Sequence, residues 1–233
     1  MKRSGLRVLS SHRAVLTTLF LAVKAIATAV LAIGIMTPGL AAERSITIVG
    51  LGDSLMAGYE LAQEQAFPAR LETALRRRGH DVTIVNAGVS GDTTSGGLAR
   101  LDWSVPDGTD AVLVELGAND ALRGIGPEAT RANLDTIITR LKERDIDVLL
   151  IGMMAPPNMG EDYATAFNGI YASLAAQHDV ELYPFFLDGV AARAELNLAD
   201  GIHPNPDGID VMVERFMPFA EALLADLVVK ASP

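Results

Sequence analysis

Short apolar segments recur along this chain from residue 46 onward, and longer segments with helical periodicity separate them. The apolar segments predict strands at residues 46–49, 82–85, 111–116, 148–153 and 180–182. The segments between them predict helices at residues 66–78, 127–143, 163–178 and 206–229. Strands that alternate with helices in this way predict a parallel sheet covered by helices on both faces. We therefore expect an α/β fold, a three-layer α/β/α domain of flavodoxin-like topology with a five-stranded parallel sheet. Gly208 and Pro218 are expected to weaken parts of the last helix.

The first 42 residues differ in composition from the rest of the chain. They hold five of the 19 basic residues and none of the 29 acidic residues. An apolar stretch from Ala25 to Ile35 is followed by a helix breaker and small residues. This pattern predicts a signal peptide over residues 1–42, cleaved after Ala41 or Ala42.

An uncleaved membrane anchor from Val15 to Met36 is the alternative interpretation of this segment. It would be long enough to span a bilayer, but Lys24 would lie near its middle, where a charge is costly. The remaining residues, 43–233, contain no linker or internal repeat, and their number suits a single domain. We therefore expect no stable membrane anchor after signal cleavage.

Charge and cysteine content restrict the possible partners and cofactors. The acidity of the chain beyond residue 42 argues against nucleic acid, whose phosphates require lysine and arginine patches. The chain contains no cysteine, which excludes disulfides, a cysteine nucleophile and thiolate metal sites. An exported protein without disulfides is more typical of bacteria than of eukaryotic secretion. We expect a periplasmic or secreted bacterial protein that acts as a monomer.

One serine, one histidine and one aspartate lie in two short motifs at opposite ends of the predicted domain. Ser54 directly follows the first predicted strand, and Asp200 precedes His203 by three residues. A serine hydroxyl becomes a good nucleophile only when a base takes its proton, and an imidazole needs a partner that holds its tautomer and orientation. A single turn would place Asp200 beside His203, with Asp207 as a weaker substitute. These residues predict acyl-transfer chemistry.

Two further motifs follow the second and third predicted strands. Ser90-Gly91-Asp92 follows the second strand, and Gly117-Ala118-Asn119-Asp120 follows the third. In open α/β sheets, ligands bind outside the carboxyl ends of the strands, where the strand order reverses. We therefore expect both motifs to lie near Ser54, where they would supply N–H donors for an oxyanion.

Four ordered blocks of sequence carry a resemblance to a known family. They are Gly52 to Tyr59, Asn86 to Thr93, Val114 to Asp120, and Asp200 to Pro204. With these blocks the chain resembles the SGNH hydrolases of the GDSL type, and closely the bacterial thioesterase I/lysophospholipase (arylesterase) branch, over residues 46–225. The resemblance implies the SGNH hydrolase fold and a serine esterase that hydrolyses carboxylic esters or thioesters through an acyl-serine intermediate. Its substrates would be small acyl compounds such as aryl esters, acyl thioesters and lysophospholipids, with no metal or other cofactor.

The resemblance also assigns a role to each candidate residue. Ser54 would be the nucleophile, His203 the base, and Asp200 the group that orients the imidazole. The oxyanion hole would consist of the Ser54 N–H, the Gly91 N–H and the Asn119 side chain. Each has a simpler explanation: Ser54 as a helix cap, Gly91 as a turn glycine, and Asn119 as a turn residue after a strand. Gly88 competes with Gly91 for its role.

The segment after the fourth predicted strand is the candidate substrate-binding region. Met154, Ala155 and Pro156 belong to a soft apolar loop there, and methionine adapts to irregular apolar ligands. Ordinary core packing is the alternative explanation. Residues 122–126 resemble a loop that closes over substrate in this branch. One departure from the family pattern is Met56, which stands where serine or threonine is common.

Three other functions remain open from the sequence. A carbohydrate acetylesterase would use the same fold and the same catalytic residues on another substrate. A non-catalytic binding module would retain only the fold. A metal-dependent phosphohydrolase would recruit Asp53, Asp92, Asp120 and His203, but it would leave Ser54 without a role. The G-x-S-x-G elbow is absent, which disfavours the α/β-hydrolase fold.

Overall fold

The computed structural model describes residues 45–231, and this part of the chain contains a five-stranded parallel sheet. Its strands are β1 (Ile46–Gly52), β2 (Val82–Gly88), β3 (Ala111–Glu115), β4 (Asp147–Ile151) and β5 (Glu181–Tyr183). The strand order is β2-β1-β3-β4-β5, and every neighbouring pair is parallel. This is the flavodoxin-like order, so the predicted fold class is confirmed. The predicted signal peptide, residues 1–42, lies outside the described residues.

Four long helices and four short helices accompany the strands in the described part of the chain. In chain order they are α1 (Ser54–Ala57), α2 (Phe67–Arg77), α3 (Thr94–Ala99), α4 (Leu101–Ser104), α5 (Ala118–Leu122), α6 (Pro127–Lys142), α7 (Glu161–His178) and α8 (Pro206–Ala231). The long helices α2, α6, α7 and α8 lie where the sequence predicts them. The short helices were not predicted, and three of them begin directly or soon after a strand ends.

The helices pack in pairs that flank the sheet. Helix α2 contacts α8, and α6 contacts α7. All five residues of β3 are buried, as expected for a central strand covered on both faces. Phe67 at the start of α2 meets Phe186 and Phe216 edge to face, with ring centroids 4.9 and 5.3 Å apart. This aromatic cluster fastens α2 and α8 to the segment that follows β5.

Helix α8 runs from residue 206 to residue 231 through both Gly208 and Pro218. The expectation that these residues weaken parts of the helix is not supported by its continuous extent. Phe216, Met217 and Ala220 flank the proline and are all buried, so the packing of this face offsets the poor helix propensity. Within residues 45–231, no helix combines the length and the apolar character that crossing a bilayer requires.

The register of the sheet brings three connecting segments to one edge. Gly52 at the end of β1 pairs in register with Gly88 in β2 and with Glu115 in β3. The residues that follow these three positions therefore leave the sheet side by side. The strand order reverses at β1, because β2 lies on one side of β1 and β3 on the other. The segments that follow β1 and β3 therefore leave the sheet in opposite directions, which opens a crevice at this edge.

Candidate active site

The structure brings Ser54, His203 and Asp200 together in a hydrogen-bonded row. The Ser54 Oγ atom lies 2.9 Å from His203 Nε2. On the other side of the ring, His203 Nδ1 lies 2.6 Å from Asp200 Oδ2. Ser54 is the first residue of α1, whereas His203 lies 149 positions further along the chain in the loop before α8. The arrangement can transfer the serine proton to the imidazole while the carboxylate holds the ring.

The loop around Asp200 holds its carboxylate in a fixed orientation. The Oδ1 atom accepts hydrogen bonds from the N–H groups of Ile202, at 2.9 Å, and His203, at 3.0 Å. This leaves Oδ2 for the imidazole. The hydrogen bond from Ile202, followed by that of the His203 ring, lowers the pKa of Asp200 to about 2, so Asp200 remains an anion at neutral pH. The imidazole pairs with Asp200 rather than with Asp207.

Tyr59 packs against the imidazole of His203, a contact that the sequence did not predict. Its ring centroid lies 4.4 Å from that of His203, with the two planes tilted by 33°. Tyr59 belongs to the first family-like block, so the block itself was the available signal. Neither periodicity nor spacing indicates that it reaches a residue so distant in sequence.

Asp53 links the start of α1 to Asn119. Its carboxylate is fully buried and accepts hydrogen bonds from Leu55 N and from Asn119 Nδ2, both at 3.0 Å. Asp53 is thus the residue that caps α1, and the capping explanation for Ser54 does not apply. The bond to Asp53 fixes the Asn119 amide with its nitrogen toward α1, and one N–H of that nitrogen remains for another acceptor.

Gly91 and Gly88 have different surroundings, which distinguishes the two candidates for an oxyanion donor. Gly91 lines the cavity that also contains Ser54 and Asn119. The N–H of Gly88 is already donated to Asn86 Oδ1 at 2.9 Å, and Gly88 lies under α1, where an added Cβ would meet Ala57 N at 2.3 Å. Gly91 has a φ of +80°, so the geometry of the turn would favour glycine here even without a role in binding an oxyanion.

Glu115 is a buried carboxyl group behind the serine that the sequence did not single out. It ends β3, is 1% exposed, and its Oε2 atom accepts a hydrogen bond from Asp53 N at 3.1 Å. Burial, and then the charge of Asp53, raise the pKa of Glu115 well above its usual range. Burial also raises the pKa of Asp53 to about 6. Burial beside Asp53 thus favours the protonated form of Glu115, since two buried carboxylates in contact are unfavourable.

The raised pKa of Glu115 predicts how stability depends on pH. Its folded-state pKa exceeds the ordinary value of 4.5, so the folded protein loses stability as the pH rises from that value toward the folded-state pKa. Glu115→Gln keeps a neutral group and abolishes this loss. We expect the Tm of Glu115→Gln minus the Tm of the wild type to increase by at least about 3 °C between pH 5 and pH 8.

Thermal unfolding followed by circular dichroism at each pH checks this expectation. Glu64 is exposed, and Glu64→Gln is the matched control whose Tm should keep a constant difference from the wild type. A constant difference for Glu115→Gln as well would mean that Glu115 is ionised in the folded protein, contrary to the expectation.

Ser54 and His203 line a largely apolar cavity of about 350 Å³. Of the three residues predicted to bind substrate, Met154 and Pro156 line this cavity, but Ala155 does not. Ala155 is half-buried against the core, and its N–H donates to Asn168 Oδ1 at 2.8 Å, which turns it toward α7. Leu122, which begins the loop expected to close over substrate, and Met153, which begins the apolar loop after β4, also line the cavity. The other apolar side chains in the lining were not assigned to it from the sequence: Leu55, Tyr59, Leu187 and Ile202.

The acidic residues near the site are engaged in other contacts. Asp120 is fully buried and accepts hydrogen bonds from the backbone and hydroxyl of Thr94 and from the hydroxyl of Thr130. Asp92 pairs with Arg100 at 2.7 Å. In residues 45–231, no three histidine, aspartate or glutamate side chains form a group of the kind that holds a metal ion. The geometry thus gives these acids structural roles, whereas it gives Ser54 a base.

Several known proteins are similar to this chain in sequence and in fold. The model of the GDSL-like Lipase/Acylhydrolase family matches residues 51–211. An arylesterase of Vibrio mimicus is 43% identical over 168 residues, which are 72% of this chain and 84% of that protein. A protein of Escherichia coli (strain K12) named Thioesterase 1/protease 1/lysophospholipase L1 is 40% identical over 177 residues, 74% of this chain and 84% of that protein.

Among solved structures, the crystal structure of TesA matches with a TM-score of 0.72 and 38% identity. The match covers 76% of this chain and 99% of the TesA chain. The family model includes Ser54, Gly91 and Asn119 within its matched residues and extends past His203. Sequence, fold and the hydrogen-bonded row thus agree, and the chain belongs to the GDSL-like lipase/acylhydrolase family.

Proposed function

We propose that the protein is a serine ester hydrolase that cleaves carboxylic esters and thioesters through an acyl-serine intermediate. The observation that carries the proposal is the row from Ser54 Oγ through the His203 ring to Asp200. His203 takes the Ser54 proton as the serine oxygen attacks the acyl carbon, and it then gives that proton to the leaving group. In the second half of the reaction, His203 takes a proton from water as the water oxygen attacks the acyl carbon. His203 then returns that proton to the Ser54 oxygen, and the acid is released. Asp200 orients the ring and stabilises its cation.

We propose three donors for the oxyanion that forms in each step. The N–H of Ser54 lies in the first turn of α1, where backbone N–H groups have no partner within the helix. The Gly91 N–H and the second N–H of the Asn119 amide face the same cavity edge in this proposal, and the bond from Asn119 to Asp53 supports it by fixing the amide. Loss of one such donor typically costs about 10²–10³ in rate.

The lining of the cavity supports an acyl chain as the group that is bound beside the serine. The side chains of Met153, Met154 and Leu122 are apolar and line this cavity, whereas sugar hydroxyls would need polar partners. We therefore favour aryl esters, acyl thioesters and lysophospholipids over acetylated carbohydrates. The names of the relatives, arylesterase and thioesterase/lysophospholipase, support the same substrate classes.

A pre-steady-state assay with p-nitrophenyl butyrate tests the proposal. We expect a burst of p-nitrophenol equal to the enzyme concentration, because an acyl-enzyme accumulates. A fluorophosphonate probe should add its mass to the peptide that contains Ser54. A series of p-nitrophenyl esters and matching acyl-CoA thioesters, with acetyl-xylan for comparison, then ranks the substrates. Absence of both hydrolysis and labelling would favour a non-catalytic binding module.

We further propose that the mature protein acts outside the cytoplasm. The basic and apolar pattern of residues 1–42 supports a signal peptide that is removed after Ala41 or Ala42. N-terminal sequencing of the protein recovered from the periplasm or medium tests this proposal. An intact N-terminus in the membrane fraction would support the anchor instead.

A further inference from the structure

Arg100 lies behind the candidate active site and connects several backbone segments. Its side chain is only 15% exposed, and it follows α3 directly. The Nε atom donates to Asp92 Oδ2 at 2.7 Å. The Nη1 atom donates to Ala87 O at 2.7 Å and Ser104 Oγ at 2.9 Å. The Nη2 atom donates to Gly52 O at 2.9 Å. All three nitrogens of the guanidinium group are thus engaged.

The partners of Arg100 belong to the segments that carry the proposed catalytic groups. Gly52 is the last residue of β1, two positions before Ser54. Ala87 is close to the end of β2. Asp92 directly follows Gly91. A single planar, rigid group therefore joins the strand that presents the serine to the loop that presents the glycine N–H.

The carboxylate of Asp92 occupies a space that the sequence provides for it. A Cβ atom at Gly96 would lie 1.7 Å from Asp92 Oδ1, so any larger residue there would displace the carboxylate from the guanidinium. The side chain of Asp92 is 14% exposed, so water screens this ion pair less than it screens a surface pair. On its outer side, the same loop is held by Arg123, which donates to Gly91 O at 2.6 Å from an exposed position.

We propose that Arg100 is a positioning residue for the hydrolytic reaction, which holds the Gly91 N–H in register with Ser54 by bonding Asp92 and Gly52 simultaneously. The inference rests on the proposed function. Neither Arg100 nor Asp92 is part of the cavity lining, so their effect on the substrate passes through the backbone. Loss of the link should therefore weaken binding of the transition state and leave binding of the substrate nearly unchanged.

Arg100→Met and Asp92→Ala test the inference from the two ends of the link. We expect each to lower kcat for p-nitrophenyl butyrate by about 10–100-fold, which is no more than the effect of removing one oxyanion donor outright. The KM should stay within about twofold of the wild type. The double variant should be no slower than the slower single variant, because both remove the same link. Arg100→Lys should not restore the rate, since an ammonium does not reproduce the planar fork.

A tetrahedral inhibitor separates positioning from a general loss of stability. An alkyl trifluoromethyl ketone forms an adduct whose oxyanion needs the same donors, so its Ki should rise in proportion to the fall in kcat/KM. Arg144→Met is the matched control, because Arg144 also donates to a backbone carbonyl, Val105 O at 2.7 Å, and to an aspartate, Asp107. It should lower Tm and leave kcat and Ki unchanged.

The inference is overturned if folded Arg100→Met or Asp92→Ala keeps kcat within about threefold of the wild type. It is also overturned if Ki does not follow kcat/KM, or if Arg144→Met loses as much activity at an equal loss of Tm. If Arg100→Met does not fold, Asp92→Ala alone decides the outcome. A wild type that neither hydrolyses esters nor binds the ketone would contradict the proposed function itself, which distinguishes the two failures.

Discussion

Ser54→Ala is expected to lower kcat for p-nitrophenyl butyrate by about 10⁶-fold, which is the scale of effect when a catalytic serine is removed. The Ser54 Oγ atom is the group that His203 Nε2 reaches at 2.9 Å, and alanine leaves the imidazole with no hydroxyl to activate. The burst and the fluorophosphonate label should disappear together. Thermal stability should change little, because Asp53 rather than Ser54 caps α1.

The effect of Ser54→Ala should not add to that of His203→Ala. Each single variant removes the same nucleophilic route, so the double variant should be about as slow as either one. Single-turnover rates measured at high enzyme concentration check this. Ser173 is exposed and lies on α7, and Ser173→Ala is the control that should keep the wild-type rate. Full turnover by purified Ser54→Ala would refute the proposed mechanism.

The layout of the sheet was predictable from the sequence, because apolar strands and amphipathic helices differ in period. The strand ends were less predictable. The sequence predicts the first strand to stop at residue 49, whereas β1 continues to Gly52. The residues Gly50, Leu51 and Gly52 look like the start of a loop, yet they pair in register with both β2 and β3. Pairing across a sheet thus decides what local propensity does not.

Helix α3 shows the same limit at a smaller scale. Two glycines lie among its six residues, and glycine is a poor helix former. The helix forms because the Thr93 side chain caps it, accepting from Gly96 N at 3.3 Å, and because Asp120 accepts from the Thr94 N–H at 2.8 Å. The second contact comes from a residue that lies 26 positions away, which no local pattern reveals.

The candidate site was predictable where a residue type carries its own chemistry. Ser54, His203 and Asp200 stand in short motifs of that kind, and the structure brings all three together. The sequence assigned no role of its own to Glu115, within the Val114 to Asp120 block, or to Arg100. Their partners come from distant parts of the chain. The orientation of each residue also decides which loop residues meet the cavity, as Ala155 shows by packing toward α7 instead.

Asp200→Asn is expected to lower kcat by about 10⁴-fold, the effect seen when a triad aspartate becomes an amide. The substitution keeps the oxygen that accepts from Ile202 N and His203 N, so the loop should retain its shape. It replaces Oδ2, which lies 2.6 Å from His203 Nδ1, by an N–H donor. The ring must then accept at Nδ1 and carry its proton on Nε2, where it can no longer take the proton of Ser54.

Asp207→Asn distinguishes this explanation from a general effect of negative charge. Asp207 lies in the first turn of α8, four residues after His203, and its replacement should leave kcat within about twofold of the wild type. Stopped-flow acylation rates and the Tm of both variants check the comparison. If Asp207→Asn lost activity while Asp200→Asn retained it, the imidazole would be oriented by Asp207 in solution. Because Asp200 bonds both the ring and the adjacent backbone, we expect the loss of activity at Asp200 alone.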